Sequence, residues 1–464
     1  MPPANAKNTA LFIAILAGFL TPFDLSAVTI ALPTLAQEFS MDAIQMGWVS
    51  TAYLLASAVF LVPFGRIADI YGRKRVFATG LSVFTLASFL MILAPSALAV
   101  ILLRVLQGFG SAMIFGTAVA ILTSVTPPEH RGKALGIYTT SVYLGLSMGP
   151  FLGGILTGLF GWRSVFFINV PLGLFAVALI VLFLKGEWAD CRDERFDLLG
   201  AIQYGLTLIC VMYGFSLLPE REGFILVIAG MVMLVVFVAR ELRIKEPLWN
   251  IRLFSKNRVF LFSNMAALIN YGATFAVTFF LSLYLQYING FSPEHAGMIL
   301  VVQPLVMALV SPAAGRLSDR IEPGKIASAG MAMTALGLVL LTFTGSGTSL
   351  GLFIAILVIL GIGLGFFSSP NTNAIMGSVE RCYYGVASGT LGTMRLAGQM
   401  LSMGIAMIVL AIFVGNVPIT PPRYPAFLAG MKLSMGIFAV MCIAGIFFSL
   451  VRYRKSTDAA TCPR

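Results

Sequence analysis

The chain has 464 residues, 58% of them hydrophobic, only 11% charged, and a net charge of +11. A soluble domain carries about 25% charged residues, so a water-soluble globular fold is excluded, and the mean hydropathy of +0.94 agrees. The five cysteines make no C-x-x-C pair and His130 and His295 stand alone in predicted loops, which argues against disulfide, zinc and redox chemistry.

Apolar runs of about 20 residues, each able to cross a hydrocarbon core about 30 Å thick, recur along the whole chain. They predict fourteen helices, at 10–36, 46–68, 76–94, 98–124, 134–158, 164–184, 198–218, 223–242, 259–287, 295–317, 326–344, 349–377, 384–414 and 426–452. The first run, Leu11 to Leu32, is too long for the apolar stretch of a signal peptide and ends without a cleavage-like site, so it reads as helix 1. The connections are short, leaving no room for an outer catalytic domain, and no G-x-x-x-x-G-K-[ST] is present to drive a nucleotide motor.

Lys and Arg accumulate on the cytoplasmic side of membrane proteins. With an even number of helices and both termini inside, 24 of the 30 basic residues fall on the cytoplasmic side and four on the other, leaving Arg104 and Arg395 inside helices. A wrong helix count would invert the sides midway and scramble this asymmetry.

An internal repeat supports the same count. Gly65-Arg66-Ile67-Ala68-Asp69 recurs as Gly315-Arg316-Leu317-Ser318-Asp319, and Gly132-x-Ala134-x-Gly136 as Gly385-x-Ala387-x-Gly389. The offsets of about 250 residues divide the chain into a six-helix bundle at 10–185, two inserted helices at 198–242 and a second six-helix bundle at 259–452. The fold class expected is therefore all-α and membrane-integral, with two pseudo-symmetric bundles.

Five stretches resemble the major facilitator superfamily. Gly65 to Arg75, with Asp69, Gly72 and Arg73, matches its signature between helices 2 and 3, departing at Ile70 where the family has a basic residue. The resemblance implies a cytoplasmic latch in which Asp69 caps a neighbouring helix or pairs with a basic residue such as Arg131, with Asp319 as the second copy. The second copy is weakened because Glu322 replaces its trailing glycine.

Arg104-x-x-Gln107-Gly108-x-Gly110 in helix 4 is similar to a motif linked in the family to proton coupling. An intramembrane cation is costly and faces the protein interior or a water cavity. Gly145-x-x-x-Gly149-Pro150-x-x-Gly153-Gly154 in helix 5 matches the family's antiporter motif. Small residues four apart permit close helix packing and the proline weakens the backbone ladder. Phe23 to Pro33 and Gly161 to Pro171 resemble the fourteen-helix drug:proton antiporter branch specifically.

Asp24 is the one acid deep in a predicted helix. A carboxylate in apolar surroundings can carry a proton, and a cationic substrate arriving there would expel it. Arg104 would tune that site. Neutral candidates for the substrate cavity are Tyr53, Gln107, Asn270, Tyr271, Thr274, Gln303, Asn371, Asn373 and Gln399, joined by the second intramembrane cation, Arg395. At the repeat offset Asp24 maps onto Thr274, so the second half brings no matching acid, and neutral or anionic substrates stay open.

The expectation is a monomeric, multi-pass cell-membrane antiporter that exports lipophilic or amphipathic compounds against protons. It needs no cofactor, metal or nucleic-acid partner and has no catalytic residues. A dedicated exporter of one metabolite has the same motifs, and an uptake symporter is a further alternative. An intramembrane enzyme would need paired acids, H-E-x-x-H or Ser with His inside the helices, none of which is present.

Overall fold

The computed structural model describes residues 4–126, 131–184, 186–188, 196–218, 220–244, 248, 254, 257–318, 320–379, 384–415 and 417–451. His130 and Asp319 lie outside these residues, and of Arg131 only the backbone is described. Fourteen helices are long and apolar enough to cross a membrane. They are α1 (Ala4–Phe39), α2 (Ala43–Tyr71), α3 (Arg73–Ile92), α4 (Ala97–Val125), α5 (Arg131–Phe160), α6 (Arg163–Phe183) and α7 (Leu198–Leu217). Then follow α8 (Arg221–Glu241), α9 (Arg258–Ile288), α10 (Pro293–Ser318), α11 (Pro323–Thr342), α12 (Leu350–Gly377), α13 (Tyr384–Phe413) and α14 (Tyr424–Val451).

Local chemistry sets the ends and the breaks. Asp42 and Gln45 close a reciprocal capping box at the start of α2, while Ser96, Asp197, Asn257 and Ser349 cap α4, α7, α9 and α12. Two helices are interrupted, α6 at Ile168 and α10 at Val301. Each break lies three residues before a proline, Pro171 or Pro304, whose ring nitrogen cannot donate to the preceding turn. The last turn of α9 widens into a π-turn over Tyr284–Ile288. His295, expected in a loop, lies inside α10, with its Nδ1 2.8 Å from the Ser292 hydroxyl.

The packing of the first six helices is repeated eight helices later. Helix α1 packs on α5 and α6, α2 on α4, and α3 on α4 and α6; correspondingly α9 packs on α13 and α14, α10 on α12, and α11 on α12 and α14. The closest approaches repeat too. Gly108 sits against the Tyr53 carbonyl as Gly361 sits against that of Gln303, and Gly145 against Phe19 as Gly398 against Leu268. These positions differ by 249 to 253 residues, within a residue of the offsets seen in the sequence. A Cβ at any of the four glycines would strike backbone, so the close crossings of both halves depend on small residues.

The halves meet along two symmetry-related seams, α5 with α10 and α2 with α13. Helices α7 and α8 pack on each other, and α7 also touches both α2 and α13. Arg73, Lys74, Arg75, Arg240, Arg243, Arg316 and Arg320 gather at one end of the bundle, called here the basic face.

Candidate functional site

A cavity opens between the halves near mid-membrane, enclosing about 1040 Å³ with the open space at its mouth included. Helices α1, α2 and α5 wall it on one side and α9, α10, α12 and α13 on the other. Towards the face opposite the basic one the halves are sealed. The Ser282 hydroxyl donates to the Thr29 carbonyl at 2.9 Å and Gln286 to that of Ile30 at 3.1 Å. Gly154 and Gly158 of α5 lie against Pro293, Glu294 and Gly297 of α10. Towards the basic face the Tyr143 and Ser368 hydroxyls meet at 2.6 Å across the halves.

Helix α5, which carries the Gly145 to Gly154 motif, uses both its sides. Gly145, Gly149 and Gly153 face Phe19, Ser26 and Ala27 of α1, whereas Gly154 faces α10 and Pro150 lines the cavity. One helix thus packs tightly against its own half and against the other.

Of the expected cavity residues, Tyr271, Thr274, Gln303, Arg395 and Gln399 line the wall, together with Ser26, Thr29, Tyr143, Phe275 and Phe279. Tyr53, Gln107, Asn270, Asn371 and Asn373 do not. Asn371 donates to the Ser263 carbonyl and Asn373 to the Ser318 hydroxyl, so both tie helices of the second half together. Among the described residues Arg395 is the one charged side chain in the wall, its guanidinium carbon 5.2 Å from the centre of the Tyr271 ring.

Asp24 does not line the cavity either. It is fully buried behind the wall and paired with Arg104, also fully buried. Arg104 Nη1 donates to Asp24 Oδ2 at 2.5 Å and to Gln107 Oε1 at 2.8 Å, while Nε donates to the Val49 carbonyl at 3.0 Å. Asn169 Nδ2 donates to Asp24 Oδ1 at 2.8 Å, with a longer contact from Gln107 at 3.5 Å. Gln107 also donates to Ser88, and the Tyr53 ring stacks 4.3 Å from the Arg104 guanidinium while its hydroxyl donates to Ser111. Helices α1, α2, α3, α4 and α6 meet at this cluster. Arg104 Nη2 is buried without a hydrogen-bond partner.

This geometry corrects the expectation that a cationic substrate meets the proton on Asp24 itself, because the carboxylate is screened from the cavity and already holds a cation. Asn169 falls inside the Gly161 to Pro171 stretch, but neither it nor Ser88 stands out in the sequence as a partner of Asp24. The signal for Asn169 is an amide in an otherwise apolar helix, next to the Ile168 break.

On the basic face, among the described residues, Asp69 pairs with Arg73 at 2.7 Å, one turn along; a pairing with the Arg131 side chain lies outside the described residues. Arg73 Nη1 donates to the Ser124 hydroxyl of α4 at 2.8 Å. Gly72 takes a φ of +119°, and a side chain there would run into Glu187, which accepts from the Lys74 backbone N–H at 2.8 Å. Asp69, Gly72 and Arg73 thus join α2, α3, α4 and the segment after α6. Gly116 of α4 packs against the backbone of α2 at Leu61 and Gly65, whereas the side-chain position of Gly65 itself faces open space.

The sequence pattern of the Major Facilitator Superfamily matches residues 14–403 and, overlapping, 263–461. The riboflavin transporter RibZ of Clostridioides difficile is 30% identical over 97% of this chain and 98% of its own length. The cephamycin export protein CmcT of Amycolatopsis lactamdurans is 36% identical over 72% of this chain and 70% of its own. The multidrug resistance protein B homolog of Mycobacterium tuberculosis is 32% identical over 70% of this chain and 61% of its own. Among solved structures, a bacterial homolog of the human lysosomal transporter Spinster, inward-facing and occupied, superposes with a TM-score of 0.71 at 17% identity, covering 96% of each chain. That likeness speaks to the fold alone.

Proposed function

As the chain belongs to the Major Facilitator Superfamily, we propose that it exports lipophilic or amphipathic organic compounds by alternating access, driven by protons. The observation that carries the reading is the buried Asp24–Arg104 pair, held on α1 immediately beside three residues of the cavity wall, Leu25, Ser26 and Thr29. A proton on Asp24 removes the anion that fixes Arg104 and loosens the joint at which α1, α4 and α6 are tied. Movement of α1 then carries Ser26 and Thr29 with it. Proton and substrate are linked through one helix without sharing an atom. A membrane potential contributes about 2.3 kcal/mol per charge per 100 mV to such a cycle.

In this reading the bundles at 10–185 and 259–452 rock about the α5–α10 and α2–α13 seams, with 198–242 as an accessory hairpin. The basic face is cytoplasmic, as are both termini, and the chain works as a monomer in the cell membrane. Asp69 and Arg73 stiffen the cytoplasmic end of the first bundle. Export is favoured over uptake by the α5 motif and by relatives that carry multidrug resistance and antibiotic export in their names. A dedicated transporter of one metabolite is the second reading, favoured by the nearly full-length match to a riboflavin transporter.

Proteoliposomes with an imposed pH gradient test the reading. Substrate addition should evoke proton movement, and Asp24→Asn should abolish it. Unchanged coupling in that variant sinks the role of Asp24. A panel of chemically unrelated compounds separates a broad exporter, which moves many, from a dedicated one.

A further inference from the structure

We propose that the mid-membrane cavity selects organic anions with an aromatic or otherwise lipophilic body, and that Arg395 is the residue that binds their negative group. The proposal rests on the cavity being the substrate site and narrows what that site takes.

The wall of the cavity carries little charge. Among the described residues it holds one cation, Arg395, and no acid. The acid that would make it cation-selective, Asp24, faces away and is bound by Arg104, Asn169 and Gln107. The repeat provides no substitute, because Asp24 maps onto Thr274 at the sequence offset and onto Ala273 at the offset that pairs Phe19 with Leu268, and both are neutral.

A guanidinium offers five donors and no acceptor, and a cation at mid-membrane is costly unless something compensates it. Arg104 is compensated by a carboxylate. No carboxylate of the described residues lies within ion-pair distance of Arg395, whose compensation is the face of Tyr271, 5.2 Å away. The same side chain therefore stands ready to take a carboxylate, sulfonate or phosphate through the two-pronged geometry in which arginine excels. A cationic compound entering the cavity would meet a like charge with nothing to offset it.

The rest of the wall fits the other end of such a molecule. Gln399 lies one turn from Arg395 on α13, and Gln303 of α10 lines the same cavity. Phe275, Phe279, Met307 and Met403 present rings and flexible thioethers that mould to an apolar body. An anion seated on Arg395 with its body along these side chains rests on the second half, with Ser26, Thr29 and Tyr143 of the first half across the cavity from it.

Three probes with one fluorescent body decide the matter: pyrenebutyrate, the neutral pyrenebutanol and the cationic pyrenebutyl-trimethylammonium. Binding is measured by fluorescence anisotropy on the full chain in lipid nanodiscs, with empty nanodiscs subtracted. Wild type should bind the butyrate at least about tenfold tighter than the alcohol, and the cation weakest. In Arg395→Gln the gap between butyrate and alcohol should collapse to within about twofold while alcohol binding is unchanged, which also reports that the variant is folded; Arg395→Lys should keep part of the gap. If Arg395→Gln does not fold, the wild-type ranking and the Lys variant decide. The proposal is overturned if wild type fails to bind the butyrate, binds the cation as tightly, or if the gap survives in Arg395→Gln. Binding is read without any gradient. An anion preference without proton-driven export therefore overturns only the transport reading, whereas coupled export of cations untouched by Arg395→Gln overturns only this one.

Discussion

Removing the charge of Asp24 without changing its shape exposes what the buried pair contributes. In Asp24→Asn the Arg104 guanidinium keeps its bonds to Gln107 and to the Val49 carbonyl. It loses its counter-ion in a site where both partners have no solvent exposure. Breaking one side of such a pair costs about 3–5 kcal/mol, because the remaining charge is left buried and uncompensated. Replacing both charges is far milder, since a neutral pair pays no desolvation penalty. Asp24→Asn should therefore lower the thermal unfolding midpoint in detergent by about 5 °C or more. Asp24→Asn/Arg104→Gln should recover most of that loss, though it should not recover proton coupling. Thermal unfolding of wild type, both single variants and the double variant gives the full cycle. An Asp24→Asn variant as stable as wild type, or a double variant no better than the worse single one, would refute the assignment of this cluster as one interdependent unit.

Other consequences follow from close contacts. A methyl group on Gly297 would strike the Pro150 carbonyl, so Gly297→Ala should open the α5–α10 seam and cost about 1–3 kcal/mol; loss of transport in proteoliposomes with the protein still inserted is the readout. Gly72→Ala meets both a φ of +119° and the Glu187 side chain and should destabilise by about 1–3 kcal/mol. Gly65→Ala, with nothing within 4 Å of the added carbon, should leave the unfolding midpoint within error or raise it. Outside the spans, the Arg240 guanidinium holds the Asp197 carboxyl below the ordinary carboxylate range. A group lowered in the folded state stabilises above its unfolded value, about 3.9, and the benefit disappears as the pH falls through the lowered one. The unfolding midpoint of Asp197→Asn should accordingly lie below wild type at pH 7 and converge on it in strong acid.

The sequence was most informative where a single physical demand dominates. Apolar runs must cross the bilayer, so all fourteen helices were legible, with α1 beginning six residues earlier than expected at Ala4. The breaks at Ile168 and Val301 and the π-turn of α9 were not, because a proline in an apolar helix bends some helices and spares others. For the site, residue type alone singled out the polar side chains, but it does not say which way a helix is turned. Gln303 and Gln399 face the cavity, whereas Asn371, no less polar, faces Ser263. Asp24 was legible as a buried acid; that Arg104 and Asn169 claim both its oxygens depends on three helices meeting at one point, which no local pattern encodes.

Helix α7 touches α2 in one half and α13 in the other. The Tyr204 hydroxyl donates to the Ala58 carbonyl at 3.2 Å, and the Phe215 ring fills the gap beside Gly404. A strut fastened to both sides of a hinge cannot follow both. When the halves change their tilt, either the Tyr204 anchor or the Phe215 wedge must slip. In the rocking cycle proposed above the hairpin would act as a built-in strain gauge, and a spectroscopic label near Phe215 would register each stroke without touching the cavity.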